Sequence, residues 1–173
     1  MPALCLKLLE FTPQSVYSTP HFYKIQNMSH FQRIGLLGSL DVPEVVESLH
    51  KLESFLKAQG RDVVYEQQAA NLIDWTPDNV LPIEEFSGTV DLGIVVGGDG
   101  SMLSACRKMA ACGIPLLGIN RGRLGFLTDI SPDEIEQRVL PVLQGEYKQT
   151  KRFLLETTVT RNGVEIGKGT AVN

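Results

Sequence analysis

A doubly wound α/β domain with a mostly parallel sheet, followed by the first strands of an all-β unit, is predicted by three observations in this 173-residue chain. Short apolar runs bounded by glycine alternate with segments whose apolar residues recur every three or four positions. One such run, ending Val95-Val96, passes through Gly97-Gly98-Asp99-Gly100 directly into a helix-forming segment. From Thr150 the pattern becomes strand-like alternation around Asn162-Gly163, a strong two-residue hairpin signal.

The elements follow in order. Arg33-Ile34-Gly35-Leu36-Leu37-Gly38 has the form of a buried parallel strand. Pro43 suits a first helical turn, and Val45, Val46, Leu49, Leu52, Phe55 and Leu56 carry the helical period until Gly60. Residues 62–66 read as a second strand, and the polar stretch 67–89 is long for a loop, so it is expected either to contain a short helix or to be mobile. Residues 91–96 form the clearest strand, 101–112 a helix capped by Gly113, and 114–119 the next strand. Ser131-Pro132-Asp133-Glu134 supplies an N-cap, a first-turn proline and a capping-box acid for a helix reaching about Gln144. Residues 152–160 and 164–172 are then the two arms of a hairpin, which alone is at best marginally stable.

Residues 1–27 fit neither pattern. Leu4, Leu6, Leu8 and Leu9 are interrupted by Lys7 and Glu10, and Pro13 and Pro20 follow without periodicity. The segment lacks the basic start and uninterrupted apolar run of a signal peptide. It is expected to be a disordered extension or a start placed too early, with Met28 the working start. The predicted organisation is therefore 1–27 outside the fold, 28–149 an α/β nucleotide-binding domain, and 150–173 the start of a truncated β domain.

Composition narrows the partners. At 43% hydrophobic and 21% charged residues, the chain can bury a core. The net charge of −4 supplies no global cationic field for nucleic acid or an anionic membrane, so an anionic ligand needs a local site. No apolar run reaches the ~18 residues of a membrane span. Cys5, Cys106 and Cys112 make no disulfide framework and fit a reducing, cytoplasmic compartment, with Cys106 and Cys112 read as small buried hydrophobes. His21, His30 and His50 show no metal-ligand spacing, and no metal-ligating residue is assigned to this chain.

The chemistry concentrates in Gly97-Gly98-Asp99-Gly100-Ser101. A helix N-terminus offers unpaired N–H groups and a favourable dipole to phosphate, and the glycines allow close approach and positive φ. A carboxylate beside phosphates must hold a metal, pair with a cation or take a proton from a nucleophile, so Asp99 is the catalytic candidate. The bland alternative is a tight turn with Asp99 as helix cap. The dinucleotide fingerprint fails because Leu103 stands where its third glycine belongs, and Gly163 to Lys168 is one residue short of a P-loop.

A second loop, Asn120-Arg121-Gly122-Arg123-Leu124-Gly125-Phe126-Leu127-Thr128, follows the next strand end and therefore borders the same crevice. Arg121 and Arg123 are either phosphate contacts or solvated arginines. Leu124 and Phe126 are either the lining of a pocket for a flat ring or anchors into the core.

Gly97-Gly98-Asp99-Gly100 together with Leu117-Gly118-Ile119-Asn120-x-Gly122-x-Leu124-Gly125-Phe126-Leu127 resembles the NAD kinase family, in its bacterial form, from about Phe31 to the last residue. The first motif alone is shared with phosphofructokinases and lipid kinases; the pair is much more specific. The resemblance implies an ATP-binding, metal-dependent transferase that phosphorylates the adenosine 2′-hydroxyl of NAD to give NADP, with Mg2+ the expected cation. It further implies that Asp99 activates the hydroxyl, that Gly97, Gly98 and Gly100 bind phosphate, and that Leu124 and Phe126 line the nucleotide pocket. Asn173 matches the asparagine of an Asn-Glu/Asp pair holding the substrate. Arg107 is a weaker candidate for phosphate contact. The family's acidic partner after that asparagine and its downstream glycine-rich segment are absent, so little activity is expected of this chain by itself, and a homo-oligomer is expected only at full length. Two other readings stand beside this one: another kinase with the same glycine-aspartate loop, acting on a sugar or lipid, and a non-catalytic nucleotide-binding fragment.

Overall fold

The computed structural model describes residues 7–11, 31–38, 43–71, 76–122 and 125–172. In chain order these contain β1 (Lys7–Phe11), β2 (Arg33–Gly38), α1 (Pro43–Ala58), β3 (Asp62–Glu66), α2 (Gln67–Ala70), β4 (Val80–Leu81), β5 (Leu92–Gly97), α3 (Asp99–Met109), β6 (Leu116–Asn120), α4 (Ile135–Leu143), β7 (Lys148–Arg152), β8 (Leu154–Arg161) and β9 (Val164–Val172). Short 3-10 turns at Ile83–Phe86, Ala110–Cys112 and Pro132–Glu134 complete them.

The main sheet has the order β4-β3-β2-β5-β6-β1-β7 and is parallel except where β1 meets β6. The doubly wound reading holds: β2 leads through α1 to β3 on one side, while β5 and β6 extend the sheet on the other. The carboxyl ends of β2 and β5 therefore flank the point where the winding reverses, the usual position of a ligand crevice in such sheets.

Alternation along the strands separates two apolar layers. Ile34, Leu36, Leu92, Ile94 and Val96 join α1 and α4 on one face. Leu37 and Val95 join Phe86, Met102, Cys106 and Met109 on the face covered by α3. Gly35 and Gly93 are opposite each other in β2 and β5 on that second face. A Cβ at Gly35 would lie 2.5 Å from Phe86 Cε2, and one at Gly93 would lie 2.5 Å from Leu116 Cδ2. These two glycines are thus seats for large side chains.

Local signals act as their chemistry requires. Ser131 and Glu134 form a capping box, and Glu134 is held below the ordinary carboxyl value by hydrogen bonds from the Ser131 side chain and backbone. Gly113, at φ 66°, ends the Ala110–Cys112 turn. The 67–89 stretch contains α2, β4 and a 3-10 turn, with Glu66 capping α2 through Gln68 N and Ala69 N. Cys106 is buried, which pushes its thiol up to about 11, whereas Cys112 is only partly buried, so the expectation of two buried thiols holds for one of them. No helix among the described residues is long and apolar enough to cross a membrane.

Two organisational expectations need correction. Lys7–Phe11, expected outside the fold, pairs in parallel with β7 along all five residues. The charges at Lys7 and Glu10 hid a strand whose placement rests on backbone pairing with two neighbours. The proposed boundary at 149/150 falls inside β7, which belongs to this sheet rather than to the hairpin. Its sequence, KQTKR, lacks the apolar run that marks a buried strand. The other residues of 1–27, Met28, and the site candidates Leu124 and Asn173 lie outside the described residues.

Candidate functional site

The glycine-aspartate loop leaves β5 at Gly97, and α3 starts with Gly98 as its N-cap and no side-chain cap. The first hydrogen bond of the helix runs from Met102 N to Gly98 O, 3.1 Å. The N–H groups of the first turn precede that ladder, where anions are favoured. Gly98 has φ −93° and Gly100 is helical, so neither uses positive φ. Their value is space: a Cβ at Gly98 or Gly100 would meet nothing within 4 Å.

Asp99 is not the helix cap. It is the first residue of α3, and its carboxylate turns across to the loop after β6. Oδ2 accepts from Phe126 N at 2.8 Å. Oδ1 accepts from Leu127 N at 2.9 Å, Thr128 N at 3.2 Å and Thr128 Oγ1 at 3.3 Å. Burial opposes the charge on Asp99, but the combined hydrogen bonds from Phe126, Leu127 and Thr128 outweigh it and hold the carboxyl below its ordinary value.

The second loop folds back on β6. Ile130 bridges Ile119 in parallel, and Asn120 N donates to Ile130 O at 2.7 Å. Thr128 is buried against Gly118, where a Cβ would stand 2.7 Å from Thr128 Cγ2. Arg121 N donates to Gly97 O at 3.1 Å, joining the two loops at their bases. The Arg121 guanidinium is tied to α1: Nε donates to Ser48 Oγ at 2.5 Å and Nη2 to Glu47 Oε2 at 3.0 Å.

Phe126 is 88% exposed, which sets aside the core-anchor reading and leaves its ring available beside the crevice. Arg107 is exposed in the last turn of α3. It lies eight residues beyond Asp99, roughly 12 Å along the helix axis, so the structure does not bring it to the loop. On the other flank, a cavity of about 200 Å³ is lined by Leu37, Gly38, Glu66, Ser101, Ser104 and Lys108. It adjoins the glycine loop through Ser101 and is smaller than the roughly 300 Å³ at which whole-ligand pockets begin.

Gly125 and Thr128 were not singled out as site residues from the sequence. The available signal was a glycine between two large apolar residues in a loop, followed by a hydroxyl residue; only the fold reveals that both touch Asp99.

The ATP-NAD kinase N-terminal domain model matches residues 34–147, more than half of the chain. The chain belongs to the NAD kinase family. An NAD kinase from Marinobacter nauticus is 45% identical over 146 residues, covering 84% of this chain and 50% of the relative. One from Hahella chejuensis is 44% identical over 146 residues, with 84% and 49% covered. The chain thus spans about half the length of these curated relatives. Yeast NADH kinase, solved in complex with NADH, superposes with a TM-score of 0.68 over 94% of this chain and 55% of that one. At 16% identity this likeness concerns the fold alone.

Proposed function

We propose that this chain forms the α/β half of an NAD kinase and that Asp99 takes up the proton of the attacking adenosine 2′-hydroxyl as a phosphoryl group passes from ATP to NAD, giving NADP. The observation that carries this reading is the division of labour between the carboxylate oxygens. A carboxylate has about four acceptor sites, two on each oxygen. Among the described residues Oδ1 has three donors and Oδ2 has one, Phe126 N. Oδ2 therefore has an acceptor site left for a substrate hydroxyl. Asp99 is ionised at neutral pH and so can accept a hydrogen bond from the hydroxyl, orienting it and taking its proton as the bond to phosphorus forms.

Gly98, Gly100 and the start of α3 are the proposed phosphate cradle, with Gly97 ending the strand that aims it. Phe126, and Leu124 with it, is proposed to face a flat ring of the nucleotide. Asn173 is proposed to hold the substrate, completed by residues beyond this chain. Among the described residues no group of three or more His, Cys, Asp or Glu side chains converges, so they do not form a protein cage for a divalent cation. Mg2+ carried by the nucleotide phosphates would ask for only one or two protein ligands. The same reading carries a metal-dependent, cytoplasmic enzyme that assembles as a homo-oligomer at full length.

The test is NADP formation from NAD and ATP by the product of the coding region read past Asn173, with sugar and diacylglycerol acceptors beside NAD. Asp99→Asn should lower kcat by roughly 10²–10⁴-fold with a much smaller change in nucleotide affinity. Unchanged turnover would remove Asp99 from the chemistry, and transfer only to the other acceptors would overturn the NAD reading.

A further inference from the structure

We propose that Gly125 is a positioning residue: its missing side chain lets the Asp99 carboxylate seat on the backbone amides of residues 126–128, and this seat determines which carboxylate oxygen faces the crevice. Calling that oxygen the proton acceptor rests on the function proposed above; the seat itself does not.

Space, and not torsion, is what Gly125 supplies. Its φ lies outside the left-handed range that favours glycine. A Cβ there would overlap Asp99 Oδ1 and come within 2.6 Å of Asp99 Cγ and 2.9 Å of Oδ2. All three of the nearest atoms belong to Asp99. Gly122, in the same loop, differs: its nearest atom would be Asn120 Oδ1 at 3.9 Å, an ordinary contact.

An added methyl group at Gly125 leaves two ways out. Asp99 rotates away, or the loop withdraws from α3. Either movement breaks N–H contacts of 2.8–3.2 Å from three consecutive residues. Three successive amides converging on one carboxylate form an anion nest, and here the chain supplies its own anion. The loop's exposed Phe126 ring leaves that end of the loop tied through its backbone to Asp99. The seat thus sets both the orientation of the carboxylate and the position of the loop carrying Phe126.

Amide hydrogen exchange of the purified chain at Phe126, Leu127 and Thr128 tests the seat without turnover, so its failure and failure of the NAD kinase reading are separate results. Gly125→Ala and Asp99→Ala should each accelerate exchange by about tenfold or more, as expected for loss of hydrogen bonds to a charged group. The double variant should exchange no faster than the faster single variant, and Gly122→Ala should match the parent. The carboxyl carbon of Asp99, followed by NMR, should titrate at higher pH in Gly125→Ala, a change that general loosening would not confine to that residue. Unchanged exchange or titration in Gly125→Ala, or additive effects in the double variant, would overturn the proposal. If Gly125→Ala does not fold, adding Asp99→Ala should restore folding by removing the clashing partner; a double variant that also fails to fold refutes it.

Discussion

The main sheet and the β8–β9 hairpin obey the same alternation rule and differ in what covers them. Every residue of β5 and β6 is buried, because α1 and α4 close one face of the sheet and α3 the other. In the hairpin, Leu155, Val159, Val164 and Ile166 are 50–64% exposed. Its open end is anchored, where Leu154 and Val172 pair with each other and pack on the layer beneath α3. A strand pattern defines which face is apolar; burial depends on whether another element arrives to cover it.

That contrast can be broken by substitution. Ile94→Ala, in the fully buried β5, should destabilise the chain by about 2–5 kcal/mol in urea unfolding, whereas Val159→Ala should cost under about 0.5 kcal/mol. Comparable losses at both positions would mean that the hairpin face is covered in solution. The glycines sharpen the comparison at smaller scale. Gly35→Ala should cost about 1–3 kcal/mol by driving a methyl into Phe86, while Gly167→Ala, with nothing within 4 Å, should stay within about 0.5 kcal/mol of the parent.

The smallest effect is electrostatic. Asp99 has a depressed carboxyl value in the folded chain, so its contribution is present above the unfolded value of about 3.9 and is lost as pH falls through the lower folded value. Between pH 7 and 3, Asp99→Ala should therefore flatten the acid side of the stability curve and leave its slope near neutrality unchanged. Glu156→Gln in the hairpin should change stability by under about 0.5 kcal/mol, because its contact with Lys168 is 4.0 Å long and exposed.

Legibility followed the same division. The core strands, the capping box and the hairpin turn were readable because each is a local pattern with a local cause. Asn162 and Gly163 adopt φ of 51° and 76°, as a tight turn between twisted strands demands. β1 and β7 were not readable as members of the main sheet, since Lys7 and Glu10 interrupt the apolar pattern of one and KQTKR in the other has no apolar run. At the site, the glycine-aspartate loop and the loop after β6 were both found, and their shared edge followed from strand order. The pairing of Arg121 was not readable because its partners, Glu47 and Ser48, lie on α1, far away in sequence.

By itself, the sequence determined the winding of the sheet, the two loops at its carboxyl edge and the family resemblance, all of which depend on residue types at short, regular spacing. Only the tertiary structure decided that Asp99 is seated on the amides of Phe126, Leu127 and Thr128, that Gly125 makes room for it, and that Arg121 is tied to α1. Those features are contacts between residues distant along the chain, made in part by backbone groups that every residue possesses and that therefore leave no mark in composition or periodicity.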